Sequence, residues 1–216
     1  RNSRFAYTNE NEEQTEENRI DFSHLLISNF NADFSDLDII GDSVAVCIDS
    51  LNLREKSGFL IRNMATEASV CNGNVHCENL TLQTNDGIVF GNYQMRGESW
   101  FDYQSFIEKV RLDADLYQSN IQFNDIAYFT PNLRDILTPL LFTGRVSGTI
   151  DNLKADVEEL KFVETGYLVG RVKVKGLPDI ANTFIDAELE QLFATFHDAS
   201  RINIPKDGEL IRMSFP

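Results

Sequence analysis

Residues 110–117 read VRLDADLY, and apolar and polar side chains alternate along them. In an extended strand, successive side chains point to opposite faces, so every second residue shares a face. The residues on the apolar face would be Val110, Leu112, Ala114 and Leu116. This stretch therefore predicts a β-strand with one apolar and one polar face.

The same period of two recurs earlier in the chain. Val44, Val46 and Ile48 alternate with other residues, and the phase then slips by one position to Leu51 and Leu53. Because a β-bulge adds one residue to a strand, a bulge would keep all five side chains on one face. The pattern predicts a bulged strand.

Two oppositely charged segments lie near the end of the chain. Residues 171–175 (RVKVK) alternate basic with apolar side chains, and residues 185–190 (IDAELE) alternate apolar with acidic ones. The intervening loop, residues 176–183, reads GLPDIANT. We expect a hairpin that pairs the basic polar face with the acidic one, since such pairs help to fix the register.

Three segments share a pattern of strand, polar turn with glycine, and strand. They are residues 51–61 (LNLREKSGFLI), 80–90 (LTLQTNDGIVF) and 160–169 (LKFVETGYLV), with glycines at Gly58, Gly87 and Gly166. Glycine is expected there because tight hairpin turns often need a positive φ. The repeat predicts successive β units with insertions between them, and an all-β, mainly antiparallel fold.

One stretch departs from strand patterning, namely residues 125–142 (DIAYFTPNLRDILTPLLF). Apolar residues at helical spacing over 132–141, interrupted by Pro139, predict a short helix or a pair of turns around residues 125–141 that could cap one end of the sheet. Residues 1–19 are polar and acidic and are interpreted as a flexible lead-in. Residues 20–216 are expected to form a single repetitive β domain.

Composition excludes some classes of function. The 216 residues include 34 acidic and 19 basic side chains, a net charge of −15, which argues against a nucleic-acid partner because phosphate binding needs clustered Lys and Arg. No apolar window is long enough for a membrane-spanning helix. The chain begins with Arg1, from which we expect an internal fragment of a larger protein.

Catalytic and metal-binding motifs are not found in the sequence. The histidines His24, His76 and His197 have no metal-ligand spacing, and no nucleophile elbow or phosphate-binding loop occurs. Four aspartates in residues 31–43 lack the calcium-loop pattern. We therefore expect a protein that is not an enzyme, with no metal and no cofactor.

Three cysteines and an aromatic cluster leave alternatives open. Cys71 and Cys77 flank the turn-like run NGN, where a hairpin would place them as diagonal neighbours, a poor geometry for a disulfide, and Cys47 makes the number odd. Trp100 leads an aromatic cluster, GESWFDYQSF, which could form a carbohydrate or lipid platform. At strand spacing, core or rim packing is the simpler interpretation.

The order of these segments resembles the TamB-like (AsmA-superfamily) periplasmic proteins of Bacteroidetes. The resemblance covers about residues 20–205 and rests on several short runs taken together. These runs are LLISNFNADFSDLDIIGDSVAVCIDSLNLREKSGFLI, ENLTLQTNDGIV, SNIQFNDIAYFTPNL, GRVSGTIDNLKADVEELKF and VKVKGLPDI.

The resemblance implies a section of an envelope protein that spans the periplasm, with an inner-membrane anchor outside this fragment. It implies an elongated curved sheet, or β-taco-like groove, whose apolar face binds or conducts phospholipid acyl chains toward the outer membrane. It also implies support of outer-membrane protein assembly, with an assembly protein as a further partner. An enzyme is not implied.

The residues expected to line the groove come from the alternating strands described above. They are Val44, Val46, Ile48, Leu112, Ala114, Leu116, Val172, Val174, Ile185 and Leu189. The same residues could instead fill the closed core of a β-sandwich or barrel. A different function, a periplasmic interaction scaffold that uses an exposed β edge without lipid, is the alternative.

Overall fold

The structure is a computed structural model that describes most of the chain. The described residues are 3–14, 18–129, 131–134, 138–162, 164–179, 182–195, 197–198, 203–206 and 209–212.

Eleven strands form one antiparallel sheet in which the spatial order follows the chain order from β1 to β11. They are β1 (Ser3–Ala6), β2 (Leu26–Ile40), β3 (Ser43–Glu55), β4 (Leu60–Cys71), β5 (Asn74–Gln83), β6 (Ile88–Arg96), β7 (Arg111–Ile121), β8 (Leu140–Thr149), β9 (Asn152–Phe162), β10 (Gly166–Lys175) and β11 (Phe184–Phe193). A separate two-stranded sheet pairs β12 (Asn203–Lys206) with β13 (Glu209–Arg212). The large sheet is open, so the expected antiparallel all-β class is confirmed and the closed barrel is not formed.

The three segments of the sequence repeat are hairpins at one end of the sheet. Residues 51–61 join β3 to β4, residues 80–90 join β5 to β6, and residues 160–169 join β9 to β10. The reason for glycine differs from the prediction, because only Gly58 has a positive φ, of 100°. At Gly87 a Cβ would lie 2.8 Å from the Asn120 carbonyl oxygen, so close packing excludes a side chain there.

The predicted bulge in β3 is present. The pairing with β4 shifts between Ile48 and Leu51, which keeps Val44, Val46 and Leu51 on one face. Similar shifts occur in β5, β7, β9 and β11, where they preserve the apolar face in the same way.

The predicted charged hairpin is also present, formed by β10 and β11. Arg171 lies opposite Glu188 and Lys173 opposite Asp186, at nitrogen–oxygen distances of 2.8 and 3.8 Å. The connecting loop is described except for residues 180–181.

Two insertions interrupt the hairpins. The first, between β6 and β7, contains a 3-10 helix (Trp100–Ser105) and helix α1 (Phe106–Lys109). The expectation of strand spacing around Trp100 was therefore wrong. The capping box between Ser99 and the N3 residue Asp102 starts a helical turn that the aromatic spacing concealed.

The second insertion, between β7 and β8, lies where the sequence predicted a helix or turns. It contains α2 (Phe123–Ile126) and a 3-10 turn (Pro131–Leu133). The helical spacing over 132–141 does not continue as one helix, since Leu140 begins β8, while residues 135–137 lie outside the described residues.

The lead-in also differs from the expectation at its start. Ser3–Ala6 forms the edge strand β1, which pairs with β2 through partners such as Phe5 and Ile27. Four residues are too few to show an alternating pattern in the sequence. β1 forms because the first residues of the long strand β2 offer it a pairing edge. Residues 15–17 lie outside the described part.

The three thiols form no disulfide. Asn72 and Gly73 make the turn between β4 and β5, and both have a positive φ, so that Cys71 pairs with Asn74. Cys77 lies on the apolar face, paired with Ala68, whereas Cys71 lies on the polar one. The prediction of diagonal neighbours is thus corrected, and residues on opposite faces of a sheet cannot be bridged.

Candidate functional site

The ten residues expected to line a groove all lie on one face of the sheet, which we call the apolar face. Strand pairing aligns them in three rows that run across the strands. The first row contains Val44, Leu112, Val174 and Ile185; the second contains Val46, Ala114 and Val172; and the third contains Ile48, Leu116 and Leu189.

Other strands contribute to the same rows, and sequence reasoning did not single these residues out. They are Val70, Val75, Met95 and Leu153 in the first row, Cys77, Tyr93, Val146 and Ala155 in the second, and Leu80 and Val157 in the third. In β5 the bulge near Asn79 breaks the period of two, which hides the strand from a search for alternation. In β8 the residues Gly144 and Gly148 lie on this face. Because glycine has no apolar side chain, the alternating pattern of β8 is not visible in the sequence.

Large and small residues alternate along the third row. Gly91 lies between Leu80 and Leu116, and Gly144 lies between Leu116 and Val157. Gly170 continues the pattern between Val157 and Leu189. Because glycine has no side chain, the row consists of large apolar side chains separated by backbone.

The apolar face is only half covered. In its central strands, side chains such as Leu112, Leu116 and Val172 are half-buried, and Ala114 is buried. At the edge formed by β11, Ile185 is 64% exposed. Within the described residues no second sheet packs on this face, and few apolar side chains of the chain are fully buried. A single layer of this kind leaves its apolar side chains in contact with solvent.

The first insertion lies at one end of the apolar face. The Tyr103 hydroxyl donates to the Gly73 carbonyl oxygen at 2.9 Å, which anchors the insertion on the β4–β5 turn. Burial, chiefly, and the nearby Cys77 and Tyr103 raise the pKa of the Tyr93 phenol above its usual range. Tyr103 therefore lies close to the second row, while Phe101, at the tip of the insertion, is 78% exposed.

The second insertion lies at the opposite end of the strands. The Asp125 carboxylate accepts hydrogen bonds from the Thr84 hydroxyl at 2.6 Å and the Gly87 amide at 2.8 Å, which ties α2 to the β5–β6 turn. Phe59 packs edge to face on Tyr128 and on Phe129, with ring centroids 5.5 and 5.4 Å apart.

The polar face carries rows of charge. Arg145 donates two hydrogen bonds to Asp113, at 3.0 and 2.9 Å, and lies 3.9 Å from the Asp115 carboxylate. The Asp113 hydrogen bonds, more than any other contact, raise the pKa of the Arg145 guanidinium. On β7 and β8 these charged side chains therefore lie on the face opposite Leu112, Ala114 and Val146.

A shallow cavity of about 520 Å³ opens on β2–β5, and its lining includes Asp36, Glu67, His76 and Glu78. Among the described residues, no group of three or more His, Cys, Asp or Glu side chains could hold a metal ion.

Cys77, whose thiol lies on the apolar face, is buried. Desolvation raises the pKa of Cys77, against a smaller opposite effect of the Thr66 hydroxyl. Cys77 in the second row and Leu80 in the third row are the two buried apolar residues of β5, each 6% exposed.

Comparison with protein-family models, with curated proteins and with solved structures found no match. None of the helices in the described part is both long enough and apolar enough to cross a membrane.

Proposed function

We propose that this chain binds phospholipid acyl chains along the apolar face and acts as a section of a periplasmic envelope protein that conducts lipid toward the outer membrane. One observation carries the proposal: a continuous apolar face, aligned in rows across the strands from β3 to β11, is left half-exposed by a single-layer sheet. Each CH₂ group that this face removes from water would contribute about 0.8 kcal/mol.

The composition of the rows favours hydrocarbon as the ligand. The first row consists of Val, Met, Leu and Ile side chains with Gly148, and none of these carries a hydrogen-bonding group. A polar ligand on this row would lose its hydrogen bonds to water without replacement, which is unfavourable. An alkyl chain loses none, and dispersion contacts with the rows do not require a fixed pose.

The dimensions of the face also suit an acyl chain. Strands in a sheet lie about 4.8 Å apart, so the eight intervals from β3 to β11 extend over up to roughly 38 Å. That length exceeds a single acyl chain, and the rows run in that direction. A lipid would therefore move along a row without leaving hydrocarbon, which is the property that a conducting surface needs.

The cellular context in this proposal comes from the resemblance to TamB-like proteins. It comprises the periplasmic location, an inner-membrane anchor on the full-length protein and support of outer-membrane protein assembly. The acidic surface, with a net charge of −15, would keep the polar face hydrated in such a location.

Two adjacent substitutions on β8 test the proposal. Val146 lies in the second row of the apolar face, and Ser147 lies on the polar face beside it, opposite Asp113. We expect the unmodified protein, incubated with phosphatidylethanolamine vesicles and then separated from them, to retain lipid in native mass spectrometry. Val146→Asp should lower the retained lipid by about tenfold or more, since a carboxylate in contact with an alkyl chain is strongly unfavourable.

Ser147→Asp serves as the matched control, because it adds the same charge to the same strand on the opposite face. It should leave lipid retention within about twofold of the unmodified protein. Circular dichroism establishes that both variants keep the sheet. Equal loss in the two folded variants, or no retained lipid on the unmodified protein, would contradict the proposal.

A further inference from the structure

The polar face contains a row in which acidic and basic residues alternate from strand to strand. Asp115 on β7 lies opposite Arg145 on β8, and Arg145 lies opposite Asp156 on β9. Asp156 lies opposite Arg171 on β10, which in turn lies opposite Glu188 on β11. Asp156 thus has an arginine on both neighbouring strands, and the row ends on the acid Glu188.

The end of this row coincides with an edge of the sheet. Glu188 has Arg171 on one side, 2.8 Å away, and no strand in the described part pairs with the other side of β11. Asp186, opposite Lys173, also lies at this edge, although its row does not alternate in charge, because Lys173 lies opposite Lys154 on β9. A strand that paired with the outer edge of β11 and carried basic side chains opposite Glu188 and Asp186 would give each of these acids a cation on both sides.

The outer edge of β11 is long and accessible. All ten residues of Phe184–Phe193 are exposed, including Ile185, Leu189 and Leu192 on the apolar face. Edge strands of this length and apolar content normally pair with something or are covered. An incoming strand with apolar residues at every second position would extend the rows of the apolar face by one strand.

A second copy of this chain is a poor match for that edge. The opposite edge of the sheet is formed by β1 and, beyond Phe30, by the rest of β2, which carries Asp33, Asp36 and Asp38. β1 has only four residues and one basic side chain, Arg4, so it could cover only part of the ten-residue β11. Pairing β11 with β2, or with another β11, would place carboxylates beside carboxylates, and like charges on paired strands are destabilising. Part of β2 is also already paired with β1.

We propose that the outer edge of β11 binds, as an antiparallel strand, a segment of a partner polypeptide that alternates apolar residues with Arg or Lys. A basic side chain of the partner lies opposite Glu188 and another lies opposite Asp186. Backbone hydrogen bonds supply most of the affinity, and the charges select the register and the partner. This site is separate from the acyl-chain surface.

A peptide with the sequence of β10 is a suitable probe, because β10 already pairs with β11 in this register from the other side. The peptide GYLVGRVKVK, with a polar tail for solubility, should bind the full chain and protect β11 amides from hydrogen exchange. A second peptide with Arg171→Glu and Lys173→Glu should bind at least about tenfold more weakly, since it reverses the charge in both of the cross-strand pairs with Glu188 and Asp186.

Substitutions in the protein identify which strand binds the peptide. Asp186→Asn with Glu188→Gln should weaken binding of the basic peptide, whereas Asp36→Asn with Asp38→Asn on β2 should leave it unchanged. Exposed ion pairs contribute little to folding, so the β11 variant is expected to stay folded. Equal binding of the two peptides, protection away from β11, or self-association through β11 in sedimentation at neutral pH would overturn the proposal.

Discussion

At the scale of single residues, Gly144 shows how closely the strands approach one another. Its φ is +149°, and a Cβ built on it would lie 2.2 Å from the Asp156 carbonyl oxygen. Gly91 and Gly170 make the same approach to the following strand, at 2.1 and 2.4 Å. These glycines are therefore required by a backbone contact that recurs on three pairs of strands.

We expect Gly144→Ala to lower the free energy of unfolding by more than about 3 kcal/mol, because backbone strain and a steric clash act together. Urea denaturation followed by circular dichroism measures this loss. Gly41→Ala is the matched control, since Gly41 also has a positive φ, of +59°, but has nothing within 4 Å of its Cβ position. That variant should lose only about 1–2 kcal/mol. Similar losses in the two variants would show that the contact with Asp156 is unimportant.

The sequence carries part of this residue-scale information. Alternation identified Val44, Leu112 and Val174 as sharing a face, because a period of two is a local property. It did not identify Gln118, which has a φ of +45° beside the β7 bulge, since glutamine has no preference for that conformation. The bulge is imposed by pairing with neighbouring strands, which a local pattern does not contain.

At the scale of elements, the hairpins and the position of the insertion after β7 were predictable, whereas the insertion after β6 was not. The β9–β10 and β10–β11 hairpins have polar turns between alternating segments, which is a local signal. The insertion that begins at Trp100 has its aromatic residues at spacings that suit a strand or a helical turn equally. Its helical form is fixed by the contacts of Ser99 with Asp102 and of Tyr103 with Gly73.

Asp198 connects two turns at one end of the sheet. Its buried carboxylate accepts hydrogen bonds from the Thr165 hydroxyl, from the Thr195 amide at 3.0 Å and from the Thr195 hydroxyl at 2.7 Å. These bonds, with those from Thr165 the largest cause, lower the pKa of Asp198 well below the ordinary value of 3.8. The carboxylate thereby fastens the end of β11 to the β9–β10 turn.

A pH dependence follows from the direction of this pKa shift. Because the folded-state pKa is the lower one, the ionised carboxylate stabilises the fold above pH 3.8, and this contribution is lost as the pH falls through the folded-state pKa. Asp198→Asn should unfold at lower urea concentration at pH 7, and the difference should shrink in strong acid. Glu190→Gln on exposed β11 is the control. A difference between unmodified protein and Asp198→Asn that grows with acidity would contradict this role.

At the scale of the whole molecule, the two faces of the sheet differ, with rows of apolar side chains on one and ion pairs such as those of Arg145 and Arg171 on the other. The amphipathic pattern predicted one apolar face, and the ten residues chosen for it do lie together. Whether that face would be open or closed could not be read from the alternation, because a barrel, a sandwich and an open sheet share the same period of two. The difference lies in which strands pair at the edges, and the outer edge of β11 pairs with no strand among the described residues.

The most direct test of acyl-chain binding is a map of where a lipid touches the sheet. A phospholipid with a photoactivatable diazirine in its acyl chain can be bound to the full chain, crosslinked and located by peptide mass spectrometry. We predict crosslinks at apolar-face residues of the central strands, such as Leu112, Val146 and Val172, and few at polar-face neighbours such as Asp113 and Ser147. Crosslinks spread equally over both faces, or confined to the polar face, would contradict the account.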